Sequence, residues 1–150
     1  MKELDLYTKK LLNEKTDGIE ISCRPVESIR DKIDYTNVFI KGFNKKRYKF
    51  LVYYMNCLDS HYTMYLITLG EKIIGCFALR AKGKKTFYLY DFTILPEYRG
   101  QGYSRQALRM IYTLSLMFGK KRLSLYLRKN NSVAFNLYVS EGFEKYKKQK

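Results

Sequence analysis

The sequence predicts a single α/β domain (α+β in the order of its elements), with a mixed central sheet of about six to seven strands flanked by about four helices. Three observations carry this. Residues 61–95 read as a meander of three strands; a glycine turn within Leu95 to Leu108 then takes the chain from strand into helix; and strand, helix and short strand follow to the end. At 150 residues, 46% hydrophobic and 16% aromatic, the chain can bury one sizeable core, and a disordered chain is excluded.

Taken in order, residues 1–18 read as a short amphipathic helical extension, because Leu4, Tyr7, Leu11 and Leu12 recur at helical spacing before Asp17-Gly18. Ile19 to Val26 alternates as a strand. Glu27 to Phe43 is helical, with Ile29, Ile33, Val38 and Phe39 apolar. Lys45 to Asp59 reads equally as helix or buried strand. His61 to Leu69 and Lys72 to Ala81 are strands joined at Gly70-Glu71, and Lys82-Gly83-Lys84 turns into a third strand that ends at Pro96. Ser104 to Phe118 is a helix stopped by Gly119, with Lys120, Lys121 and Arg122 at its C-terminal end. Arg122 to Arg128 is a strand, Asn130-Asn131-Ser132 caps a helix over Val133 to Ser140, and Phe143 to Tyr146 closes the pattern.

Charge and cysteines exclude several classes. Cys23, Cys57 and Cys76 lack CxxC spacing and sit in apolar runs, so they read as buried free thiols. With a single histidine, His61, no metal ligand set can be written, and no metal is expected. No apolar run approaches the ~20 residues of a membrane span and the start lacks a secretory core, so a soluble, cytoplasmic protein is expected. The net charge is +15, and residues 101–150 hold 11 basic against 2 acidic groups, placing the excess beside and after the glycine turn. An anionic ligand is favoured there. No nucleic-acid motif accompanies the charge, so a nucleic-acid partner is not the expectation.

The turn itself has the parts of a phosphate cradle. Gly100 and Gly102 let the backbone approach a ligand, the start of the next helix presents unpaired N–H groups, and Arg99 and Arg105 flank the turn. It is neither the Lys-Ser/Thr phosphate loop nor the dinucleotide fingerprint, since both spacings differ.

Two stretches resemble the GNAT superfamily of acyl-CoA-dependent N-acetyltransferases. Ile94 to Ser104, ILPEYRGQGYS, is similar to V-x-P-x-x-R-G-x-G-x-G/A, and Asn131 to Phe143, NSVAFNLYVSEGF, is similar to N-x-x-A-x-x-L-Y-x-x-x-G-F. The resemblance covers residues 19–146 within a single domain spanning 1–150. It implies acetyl-CoA as co-substrate, lying between two splayed parallel strands. Its pyrophosphate would be held by Arg99, Gly100, Gln101, Gly102, Tyr103, Ser104 and Arg105, with Asn131 touching the coenzyme and the oxyanion bound by backbone N–H near Ile94 or Leu95. It further implies transfer to a primary amine by direct attack, with Tyr138 as general acid. Read from its spacing alone, Tyr138 beside Phe135 and Leu137 is a packing residue. Asp91, the only acid between Lys82 and Leu95, reads as a base, a water-orienting group or a strand-end acid paired with an arginine.

Two departures from the pattern stand out. Ser104 replaces a glycine or alanine, and the chain stops soon after Tyr146, where the family usually adds a strand. Either the sheet is shorter, or a partner chain in a homodimer supplies the edge, with residues 1–18 available to cover it. The acceptor, a small molecule or peptide, is not readable; its pocket is expected around Ile33 to Tyr62. A non-catalytic acyl-CoA-binding module remains the alternative.

Overall fold

The computed structural model describes residues 4–12, 17–44 and 61–147. Strand β1 (Leu4–Lys10) and β2 (Ser22–Pro25) precede helix α1 (Ile29–Gly42); the meander is β3 (Tyr62–Leu69), β4 (Lys72–Lys82) and β5 (Thr86–Ile94). A single 3-10 turn over Pro96–Tyr98 leads to α2 (Tyr103–Met117), then β6 (Arg122–Arg128), α3 (Ser132–Ser140) and β7 (Glu144–Lys145). The seven strands form one sheet in the order β2-β3-β4-β5-β6-β1-β7, with three α-helices among the described residues against the four expected. The ambiguous run 45–59, with Cys57, lies outside the described residues.

The N-terminal segment corrects the sequence reading. Residues 4–10 are a strand, not a helix, paired antiparallel along their full length with β6 from Leu4↔Arg128 to Lys10↔Arg122. Seven residues cannot sustain a helix without tertiary support, whereas the β6 edge offers a full set of backbone partners. β7 then pairs with β1 rather than with β6. The strand sought in a partner chain or a shortened sheet is therefore supplied by the chain's own N-terminus.

The sheet carries a core on each face. One face packs Tyr7, Phe77, Leu79, Leu89, Ile94 and Leu125 against α2 and α3, through Leu108, Ile111, Tyr112 and Tyr138. The opposite face packs Leu66, Cys76 and Leu95 under Tyr35 and Val38 of α1. Helix α1 starts at a capping box, Ser28 Oγ accepting from Asp31 N–H while the Asp31 carboxylate accepts from Ser28 N–H. Backbone N–H groups and the Arg24 guanidinium around that carboxylate hold the Asp31 pKa below its usual range. Among the described residues no helix is long and apolar enough to cross a membrane.

Candidate active site

The site begins where β5 and β6 part. Their parallel pairing covers only Thr86↔Arg122, Phe87↔Leu123 and Tyr88↔Ser124, although β5 runs on to Ile94 and β6 to Arg128. A bulge diverts β5: Cys76 faces Thr93 and Ala78 faces Tyr90, so Asp91 and Phe92 together stand against Phe77. Asp91 takes a left-handed φ of 60°, which aspartate adopts more readily than most residues. Beyond the bulge, Leu95 N–H donates to the Ile74 carbonyl at 2.7 Å. Strand alternation then turns the Ile94 N–H the other way, toward the gap. Of the two oxyanion donors expected, Leu95 is thus engaged within the sheet and Ile94 faces the opening.

Above this gap lies the glycine turn. Gly100 and Gly102 have φ of 78° and 84°, and a Cβ at either position would meet nothing within 4 Å, so space over the turn is open. Gly102 is the N-cap of α2 and provides no side-chain cap, whereas Ser28 caps α1 and Asn131 caps α3. The first-turn N–H groups of α2, from Tyr103 onward, therefore sit at the positive end of a helix with no acidic residue in its first turn. Tyr103 packs against the core, Ser104 is half-buried, and Gln101 Nε2 donates to the Glu97 carbonyl at 3.5 Å. An open glycine turn at an uncapped helix start fits a pyrophosphate.

Both arginines have partners within the protein. Arg99 donates from Nε to the Ile94 carbonyl at 2.8 Å, and from its terminal nitrogen to the Gly42 carbonyl at 2.7 Å and to Thr93 Oγ1 at 3.3 Å. It pins the end of β5 to the C-terminus of α1, where a cation also suits the helix dipole. The joint is close, since a Cβ on Gly42 would fall inside the Thr93 side chain. Arg99→Ala is expected to cost about 2 kcal/mol, roughly 5 °C in melting temperature. An unchanged melting temperature with weakened acetyl-CoA binding would return Arg99 to a phosphate role.

Arg105 pairs with Glu141 at 3.1 Å. Glu141 also accepts from Tyr112 Oη at 3.2 Å, while Lys9 Nζ donates to the Glu141 carbonyl at 2.6 Å and lies 4.1 Å from the Tyr112 ring centroid. This network joins β1, α3 and the start of α2. The sequence reading missed Glu141, although it is one of only 2 acids in the basic last 50 residues.

Tyr138 and Asp91 stand on opposite faces of the sheet. Tyr138, from α3, belongs to the same core cluster as Ile94 and packs edge-on against Phe143 at 5.4 Å. Burial pushes its phenol well above the usual tyrosine range. The Asp91 carboxylate accepts from the buried Tyr35 Oη at 2.9 Å, and the Asp91 carbonyl accepts from Cys76 Sγ, placing Asp91 on the α1 face. Asn131 Oδ1 caps α3 by accepting from Ala134 N–H at 3.2 Å, which leaves its NH2 directed elsewhere. His61 is exposed just before β3, and no group of three metal-ligating side chains occurs among the described residues. Of the region expected to form the acceptor pocket, residues 45–60 lie outside the described residues.

A mixed sheet splayed at one strand pair, with a glycine turn leading into an uncapped helix beside the split, defines an acyl-CoA-dependent acyltransferase fold. The chain belongs to the acetyltransferase (GNAT) family, whose sequence profile matches residues 30–143. It is 32% identical over 88 residues to the uncharacterized N-acetyltransferase YycN of Bacillus subtilis (strain 168), a match spanning 56% of this chain and 56% of that relative. The fold is similar to a GNAT family acetyltransferase from Elizabethkingia anophelis with acetyl-CoA bound, at TM-score 0.68 and 19% identity over 85% of this chain and 78% of that one. It is also similar to the ribosomal-protein-S18-alanine N-acetyltransferase of Escherichia coli, at TM-score 0.71 and 19% identity over 85% and 79%.

Proposed function

We propose that the chain transfers an acetyl group from acetyl-CoA to a primary amine by direct attack in the β5/β6 gap. The observation that carries this is the conjunction of that gap with the open turn at Gly100 and Gly102 and the uncapped start of α2. The turn and the first-turn N–H groups of α2 hold the pyrophosphate, with the Asn131 amide as a further donor, and the exposed edge of β5 aligns the amide-bearing arm as an added strand. Bound acetyl-CoA supplies the activated thioester.

The chain's own groups handle the charge and the protons. The Ile94 N–H, aimed into the gap, is the donor for the acetyl oxygen as it takes on charge. Asp91, held by Tyr35, accepts the amine's proton directly or through a water. Tyr138, on the other face, donates its proton to the departing sulfur. An amine arriving from the α1 face and a thiol leaving toward α3 fit this division.

Asn is tolerated at the φ of Asp91, so Asp91→Asn keeps the bulge and is expected to lower kcat about a hundredfold, with Tyr35→Phe a milder case. A folded Asp91→Asn variant with full turnover would remove Asp91 from the chemistry. The function itself is tested by following free-thiol release with a panel of amines and peptides.

A further inference from the structure

Across the α1 face of the sheet, beyond the helix, runs a band of tyrosines and cations that the donor site does not use. Tyr62 of β3 meets Tyr90 edge-on at 5.3 Å; Tyr88 lies 6.5 Å from Tyr90 and 5.7 Å from Tyr126 of β6. Tyr126 and Tyr146 keep 45% and 55% of their surface exposed, so this is not a sealed core. Burial first, and neighbouring phenols second, push Tyr88 and Tyr90 upward, which keeps them neutral hydrogen-bond donors.

Beside this band the same face sinks into a cleft of about 930 Å³. Its floor includes Tyr88 and Ser124, the last paired rung before β5 and β6 separate, so the cleft ends at the foot of the gap. Its walls carry Lys82, Arg122, Lys145 and Lys147 against one acid, Glu144. Lys145 is matched by Asp5 at 3.6 Å, and Lys82 lies over the Tyr88 ring at 5.5 Å. Among the described residues, Lys82, Arg122 and Lys147 have no carboxylate within ion-pair distance. Cations converging on a concave site raise the local concentration of anionic ligands.

We infer that this cleft receives the acceptor, and that the acceptor is an acidic peptide presented by its N-terminal α-amine. The inference rests on the acetyl-transfer reading and deepens it. Three features select this class. A single amino acid would leave most of a cleft this size unfilled, whereas an extended peptide fills it and offers amides to the Thr8, Thr86 and Ser124 hydroxyls. A nucleic acid would satisfy the cations, but its base amines are conjugated to the rings and are poor nucleophiles. Finally, a carboxylate such as Asp91 is far too weak a base to strip an ammonium efficiently and takes up the proton released as the amine attacks, so the amine must arrive nearly neutral. An α-ammonium with a reference pKa near about 7.8 meets that condition, a lysine ammonium near about 10.4 does not, and surrounding cations lower either further.

The test compares short peptides with a free N-terminal alanine followed by glutamates, glutamines or lysines, together with an N-blocked acidic peptide containing one lysine. At saturating acetyl-CoA the glutamate peptide is expected to exceed the glutamine peptide about tenfold in kcat/KM, and the lysine peptide by more. The N-blocked peptide is expected to give no thiol release. Lys147→Gln, on the exposed tail, and Arg122→Gln should each shrink the glutamate preference without changing acetyl-CoA affinity by calorimetry. Equal turnover of the three free peptides, a preference that survives both substitutions, transfer to the blocked peptide's lysine, or tighter Arg122-dependent binding of single-stranded RNA would overturn the inference. Anisotropy of a labelled acidic peptide separates the two levels. Charge-dependent binding without thiol release upholds the cleft and overturns acetyl transfer; thiol release confined to neutral amines does the reverse.

Discussion

Tyr138→Phe is expected to lower kcat by about a hundredfold or more while leaving the affinity for acetyl-CoA unchanged. The substitution removes one oxygen from a ring whose packing against Phe143 it preserves, so the fold should persist. Departure of the coenzyme generates a thiolate, whose reference pKa of about 8.5 lies below that of a phenol. In water that mismatch would make the phenol a poor donor. The apolar surroundings that push Tyr138 upward act in the same direction on a thiolate formed beside it, so burial leaves their order unchanged, and the case for the phenol rests on its place in the core cluster of Ile94. The same shift fixes the pH behaviour. The neutral phenol is the active form and its pKa is raised, so kcat should not decline through loss of this proton up to about pH 10, the usual tyrosine value. Full turnover in a folded Tyr138→Phe protein would reduce Tyr138 to a packing residue.

Deleting residues 1–12 is expected to abolish the stable fold. β1 pairs with β6 over its whole length and is the strand on which β7 rests, so its loss bares one edge and orphans another. Buried Tyr7 and Leu11 go with it, as does the Lys9 contact to the Glu141 carbonyl that steadies the start of α2. Burial of two large side chains and a seven-residue ladder together are comparable to the about 5–15 kcal/mol that holds a domain folded. Tyr7→Ala is the milder version, expected to cost about 3–5 kcal/mol by chemical denaturation. A synthetic peptide of residues 4–12 added to the deletion protein should restore part of the melting transition. A deletion protein with the melting temperature and activity of the full chain would show that the strand is dispensable.

That N-terminal strand marks the limit of what the residues alone disclose. Elements whose periodicity matches their local propensity, such as the meander over β3 to β5 and helices α1 and α2, are legible because pattern and packing agree. Leu4, Tyr7 and Leu11 fit a helix just as well; what makes them a strand is the edge of β6 more than a hundred residues away, which no local pattern encodes. The site divides in the same manner. Gly100 and Gly102 disclose the open turn because their left-handed φ is a backbone requirement that favours glycine. Arg99 and Arg105 stand out in the sequence as cations flanking the turn, and only the fold shows that they also bond Gly42, Ile94 and Glu141. Asp91 is visible as a lone acid in a strand, but its bulge and its bond to Tyr35 arise from distant contacts.

The most direct test of the account is calorimetric titration of acetyl-CoA into the full chain and into Gly102→Ala. A Cβ at Gly102 meets no protein atom within 4 Å, so the added methyl group acts mainly on whatever occupies the cradle, with a modest backbone strain from φ 84°. The account predicts saturable one-to-one binding by the full chain, weakened about tenfold or more in the variant, a loss of about 1.4 kcal/mol. A folded protein that fails to bind acetyl-CoA, or binds it equally well with alanine at that position, would contradict it.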